Sequence, residues 1–118
     1  MTDVIKGRAA GGGHRWWSLA GATLMAAGLP FILGRVPPNG WSGLRVPATL
    51  TDERVWYAAN RVMGYDLLLA GAAVFVSALA TAGLARREPA LARRINLVVL
   101  AVALAAAAAH SLWALSRL

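Results

Sequence analysis

Two ionisable residues, Asp66 and His110, stand inside long apolar runs of this chain. In a hydrocarbon solvent such groups are costly unless they are paired. An acid and an imidazole brought together there would form a hydrogen-bonded clasp or a proton relay, the carboxylate favouring the charged ring and partial burial opposing it. The rest of the reactive inventory is thin. The absence of cysteine removes disulfides, thiolate metal sites and cysteine nucleophiles. No nucleophile elbow, phosphate loop or paired carboxylates within a span occurs. Asp52 and Glu53 are adjacent and would point about 100° apart on a helix, which suits them to charge a helix start. With two histidines and no cysteine, a protein metal site is not expected. The reading is therefore of a non-enzyme, with no catalytic residues and no cofactor, His110 being the one candidate for cofactor contact.

Positioning Asp66 and His110 falls to the helices that carry them. Of the 118 residues, 58% are hydrophobic and 14% are charged, whereas about a quarter are charged in ordinary soluble domains. The apolar residues gather at 16–33, 63–84 and 95–115, each close to the roughly 20 helical residues that cross a hydrocarbon core of about 30 Å. The expected fold is an all-α membrane protein: a flexible cytoplasmic tail at 1–15, then a single domain at 16–118 with three transmembrane helices and a structured loop at 34–62. With three spans, Asp66 lies near the outer end of the second and His110 near the outer end of the third. Both then sit roughly 6–8 Å deep on the same side.

The net charge of +7 does not form a basic stripe of the kind that binds nucleic acid; the arginines flank the apolar runs, where they anchor helices. The tail and the second loop share Lys6, Arg8, Arg15, Arg86, Arg87, Arg93 and Arg94, whereas the opposite side holds Arg35, Arg45, Arg54, Arg61 and Arg117. The positive-inside rule then puts the amino terminus in the cytoplasm and the first loop outside. Basic residues ahead of an apolar run also mark secretory signals, but no small-x-small cleavage site followed by a soluble domain is evident.

Residues 39–61 form the only dense polar, turn-forming and aromatic block. Pro30 should kink the end of the first helix, and Gly34, Pro37, Pro38, Asn39 and Gly40 should end it. Helix should resume near Leu50, with Thr49 or Thr51 as N-cap and Asp52 and Glu53 in the first turn. From there to Leu84 is about 52 Å of helix, longer than the bilayer core, so its first turns should lie on the membrane surface. There Val55, Trp56, Ala59, Val62 and Met63 share one face and Glu53, Tyr57, Asn60 and Arg61 the other, with a bend at Gly64. Arg45 is placed to reach Asp52 or Glu53. Ala73, Ser77 and Thr81, with the alanines at 105–109, predict close packing of helices two and three across the short Arg86 to Arg94 loop.

The ordered set Asn39, Gly43, Arg45, Pro47, Thr49, Leu50, Asp52, Glu53, Val55, Trp56, Asn60 and Arg61 resembles the signature of the SdpI family. These are small bacterial membrane proteins, and the named member protects the producing cell from its own secreted toxic peptide. The resemblance implies a multi-pass protein of the bacterial inner membrane, with a toxic peptide or a regulatory protein as partner. The first loop would be its contact surface, with Trp41, Trp56 and Tyr57 as aromatic anchors. This chain departs from the named member in lacking its additional amino-terminal helices, and Asp66 has no counterpart in the signature. The alternative is a structural accessory subunit of a larger membrane complex, docked through the small-residue face of helices two and three. The run AAAAAHSLWAL, with Ala106 one turn before His110 and Trp113 three residues after it, resembles tetrapyrrole-binding helices of light-harvesting polypeptides. On that alternative, pigment or lipid would be contacted near His110, and His14 would lie at the opposite face.

Overall fold

A computed structural model describes the backbone from Thr2 and the side chains from Arg15 to Leu118, so the tail expected at 1–15, with His14, falls outside the described side chains apart from Arg15. The elements are α1 (Thr2–Ile32), α2 (Pro47–Thr51), α3 (Glu53–Ala80), α4 (Ala82–Arg87) and α5 (Pro89–Ser116), and the described chain contains no strand. α3 and α5, each 28 residues long, are long and apolar enough to cross a membrane. α3 is central, with α1 along one side and α5 along the other, and α1 scarcely meets α5.

The α1–α3 seam is built from glycine. A Cβ on Gly21 would lie 2.6 Å from the Gly71 carbonyl oxygen, one on Gly71 would lie 2.5 Å from that of Gly21, and one on Gly64 would lie 2.7 Å from that of Gly28; Gly28 has the reciprocal overlap with Gly64. Each pair is two turns from the next on both antiparallel helices, so the backbones touch where no side chain keeps them apart. This corrects two expectations. The close approach lies between α1 and α3, not between the second and third spans. The bend expected at Gly64 also gives way to a continuous α3, in which that residue serves contact.

α3 and α5 are joined by polar side chains instead. Asn96, buried on α5, accepts from Ser77 Oγ at 2.9 Å, and its Nδ2 donates to Thr81 Oγ1 at 2.9 Å and to the Ala92 carbonyl at 2.9 Å. Ser77 and Thr81, read from sequence as small packing residues, are hydrogen-bond partners. Ala105, Ala106, Ala108 and Ala109 stay exposed. The stretch from Arg86 to Arg94 is largely helical, not a loop: Thr81 ends α3, α4 follows at once, and Glu88 precedes Pro89, which starts α5.

Candidate functional site

α1 ends in a Schellman motif. Gly34 takes φ +67°, its N–H donates to the Phe31 carbonyl at 3.2 Å and the Arg35 N–H donates to that of Pro30 at 2.9 Å, the 5→2 and 6→1 pattern that favours glycine at this position. Pro30 lies inside α1, two residues before the helix ends. The chain then turns on Asn39, whose Oδ1 accepts from the N–H groups of Trp41 (3.0 Å) and Ser42 (2.7 Å) while Nδ2 donates to the Pro37 carbonyl at 2.8 Å. This side-chain mimic of a backbone turn is the reason Asn suits the position. The expected Arg45 ion pair is not formed. Arg45 Nη1 donates instead to the Gly40 carbonyl, tightening the same turn, and the described residues contain no ion pair to Asp52 or Glu53.

Three buried side chains fasten this loop to the helices. Asn60 accepts the Leu44 N–H at 2.6 Å through Oδ1 and donates to the Trp56 carbonyl at 2.9 Å. Gly43, at φ +92°, passes so close that a Cβ would lie 2.7 Å from Asn60 Oδ1 and 2.9 Å from Phe31 Cε1. Trp56, fully buried, donates from Nε1 to the Val36 carbonyl at 2.8 Å. Thr49, fully buried, accepts the Val46 N–H at 3.0 Å and donates to the Leu44 carbonyl at 2.8 Å. Val46 precedes α2, Pro47 opens it, and Asp52 is the N-cap of α3, accepting the Arg54 N–H at 2.9 Å. The N-caps are thus Val46 and Asp52, where Thr49 or Thr51 was expected. Asn60, placed by periodicity on the polar face, is buried, because its amide replaces water for a loop N–H that has no helix partner. Trp56 is likewise unavailable as an aromatic anchor for a partner.

What the cap leaves in the open is Trp41, 82% exposed, and Leu50, 52% exposed, together with the charged heads of Arg35, Arg45, Asp52, Glu53, Arg54 and Arg61. Tyr57 and Val55 are half-buried.

Further along α3, Asp66 Oδ1 and Oδ2 each lie 2.9 Å from His110 Nδ1 on α5, and Ser111 Oγ donates to Asp66 Oδ2 at 2.7 Å. The acid and the imidazole, expected at the same depth near the outer ends of their spans, thus lie within bonding distance. Ser111 was missed, since a lone serine in an alanine-rich helix carries no periodic signal. Serine, histidine and aspartate meet here without forming a nucleophile relay: Ser111 and His110 both engage the carboxylate, whereas a relay needs the hydroxyl on the far ring nitrogen. On its other side the His110 ring stacks on Trp113, centroids 5.9 Å apart, and the Arg117 guanidinium lies 5.3 Å from the Trp113 ring centroid. No buried side-chain nitrogen or oxygen lacks a partner among the described residues.

A comparison with protein-family models matches residues 35–113 to the SdpI/YfhL protein family. The chain belongs to that family. Comparisons with curated proteins and with solved structures gave no match. The matched segment of this SdpI/YfhL chain begins at Arg35, beside the Schellman glycine, and ends at Trp113. It therefore takes in the cap, α3, α4 and most of α5, and leaves α1 outside. Within the SdpI/YfhL segment the signature residues Asn39, Gly43, Thr49, Asp52, Trp56 and Asn60 all build the cap.

Proposed function

We propose that this protein is a non-enzymatic, three-span protein of the bacterial inner membrane that senses or neutralises a membrane-active toxic peptide through the outer surface of the 34–62 cap. The carrying observation is the division of labour within the signature. Its buried members spend their polar groups on each other and on the loop backbone, and the surface they hold rigid presents Trp41 and Leu50 among arginines. A pre-ordered surface lowers the entropy cost of binding, and exposed aromatic and arginine residues are the types that dominate contact energies.

Several observations support the remaining parts of the reading. Family membership and two apolar 28-residue helices favour a membrane location. α1, laid against α3 from Gly21 to Gly28, supports a third span at 16–33. The arginine distribution favours a cytoplasmic amino terminus. A regulatory protein engaged by the same cap is the alternative partner within this reading.

The test is complementation in a deletion strain challenged with membrane-active peptides from its own spent medium. Wild type should restore survival. The double variant Trp41→Ala, Leu50→Ala should reach the membrane in equal amount and fail to restore it. Full protection by that variant, or recovery of the chain as a fixed-stoichiometry subunit of a larger complex with no peptide phenotype, would replace this reading with the accessory-subunit one.

A further inference from the structure

The turn between α4 and α5, at the end of the molecule away from the cap, gathers the densest charge in the described chain. Arg86 and Arg87 fill the last turn of α4, Arg93 and Arg94 follow in the second turn of α5, and the segment they bound holds a single acid, Glu88. Each pair directly follows a buried alanine, Ala85 or Ala92, so the packed face is taken by a small residue and all four arginines stay exposed. Among the described residues the one ion-pair contact is that of Asp66 with His110, which leaves the four guanidiniums without an acidic partner there. Guanidinium holds its proton throughout the pH range of proteins, so this patch is cationic under all conditions. The cap differs: Arg54 shares its surface with Asp52 and Glu53, and Arg45 is engaged by the Gly40 carbonyl.

Depth decides what such a patch meets. The Asn96 bond to Thr81 sets the register of the α3–α5 hairpin. Arg93 and Arg94 lie two and three residues beyond Asn96, and Arg86 and Arg87 five and six beyond Thr81, which places the pairs about 3 to 9 Å further out at about 1.5 Å per residue. The polar layer of a bilayer extends about 5 to 8 Å beyond the hydrocarbon core on each side. Both pairs therefore stand at the level of lipid phosphates.

We infer that the α4–α5 turn binds an anionic phospholipid carrying two phosphodiesters, one phosphate held by each arginine pair. The commitment to phosphate follows from the side chain, because the planar guanidinium fork matches two phosphate oxygens at once. The commitment to two phosphates follows from the count. A phosphodiester has two unesterified oxygens, which two guanidiniums fill, so four guanidiniums in two pairs call for a second phosphate on the same lipid. The site uses none of the exposed cap residues, so it stands or falls apart from the peptide reading.

The experiment titrates the full chain, purified in a neutral detergent, with cardiolipin, phosphatidylglycerol and phosphatidylcholine of matched acyl chains, and counts bound lipid by native mass spectrometry. The expected result is one saturable cardiolipin per chain, held at least ten-fold more tightly than phosphatidylglycerol, with phosphatidylcholine not retained. A basic residue at an anionic lipid surface is worth about five-fold in affinity. The double variants Arg86→Gln, Arg87→Gln and Arg93→Gln, Arg94→Gln should each therefore lose about 25-fold for cardiolipin, and the preference over phosphatidylglycerol should fall to within two-fold. Arg35→Gln, Arg54→Gln removes the same charge at the other end of the molecule and should stay within two-fold of wild type. Equal affinity for cardiolipin and phosphatidylglycerol would overturn the two-phosphate assignment. An equal loss in the Arg35, Arg54 control would show general charge attraction and overturn the site, as would the absence of any saturable lipid adduct.

Discussion

Replacing Asn60 by Ala should release the cap from α3, and the size of the effect follows from the bonds that are lost. Asn60 Oδ1 is the acceptor for the Leu44 N–H at 2.6 Å, and the residue is 2% exposed, so no water replaces it while the cap stays shut. A buried donor left unsatisfied costs about 1 to 3 kcal/mol. The Asn60 Nδ2 bond to the Trp56 carbonyl is lost too, but as a second bond on a helix carbonyl it adds less. The cap then opens more readily, and at 1.4 kcal/mol per factor of ten the Leu44 amide should exchange with solvent about 5- to 140-fold faster. Hydrogen exchange resolved at single amides reads this directly, with amides in the middle of α5, around Ala103, as the internal control. Gly43, packed against the same oxygen, should accelerate with Leu44. If Leu44 exchange stays within about two-fold of wild type, or if the α5 amides accelerate equally, the cap is not held locally by this side chain and the argument fails.

Other consequences follow from the same geometry. Gly64→Val should force α1 and α3 apart, since even a single Cβ would lie 2.7 Å from the Gly28 carbonyl oxygen; a loss of about 1 to 3 kcal/mol is expected, read as an earlier midpoint in denaturing-detergent titration. Gly83→Ala makes the opposite case, because nothing lies within 4 Å of its added Cβ and the residue is in a helix; a gain of about 0.4 to 1 kcal/mol is expected in the same titration. Asn96→Leu should loosen the far end of the α3–α5 hairpin by removing the bonds to Ser77 and Thr81, at about 0.6 kcal/mol per interhelical bond. The cysteine-free background lets an engineered pair report the change as slower cross-linking. Arg45→Ala should speed exchange of the amides at the Asn39 turn and leave those at the α3 start unchanged, because its partner is the Gly40 carbonyl; acceleration at Glu53 and Arg54 instead would restore the Asp52–Glu53 pairing.

The residue sequence by itself determined the class of the molecule, through composition, and the sites of turning, through local chemistry that acts over a few residues. Glycine at the end of α1 and Asn39 at the turn are decided within one or two turns of chain, so they are legible in one dimension, whereas the helix starts fell elsewhere: Pro47 opens a helix expected near Leu50, and Val46 and Asp52 are the N-caps where Thr49 or Thr51 was expected. The Asp66–His110 meeting was legible too, because helices of known rise count depth like a ruler. Tertiary structure decided everything that depends on which faces meet. Periodicity put Asn60 among exposed residues, but only the folded loop supplies the Leu44 N–H that makes its burial favourable. Small residues occur in every helix here, and nothing in their spacing said that Gly21, Gly28, Gly64 and Gly71 would be opposed while the alanines of α5 stayed open. Ser77, Thr81, Asn96 and Ser111 likewise take their roles from partners 15 to 45 positions away. Contact across an interface belongs to two surfaces together, and a single chain read in order displays only one at a time.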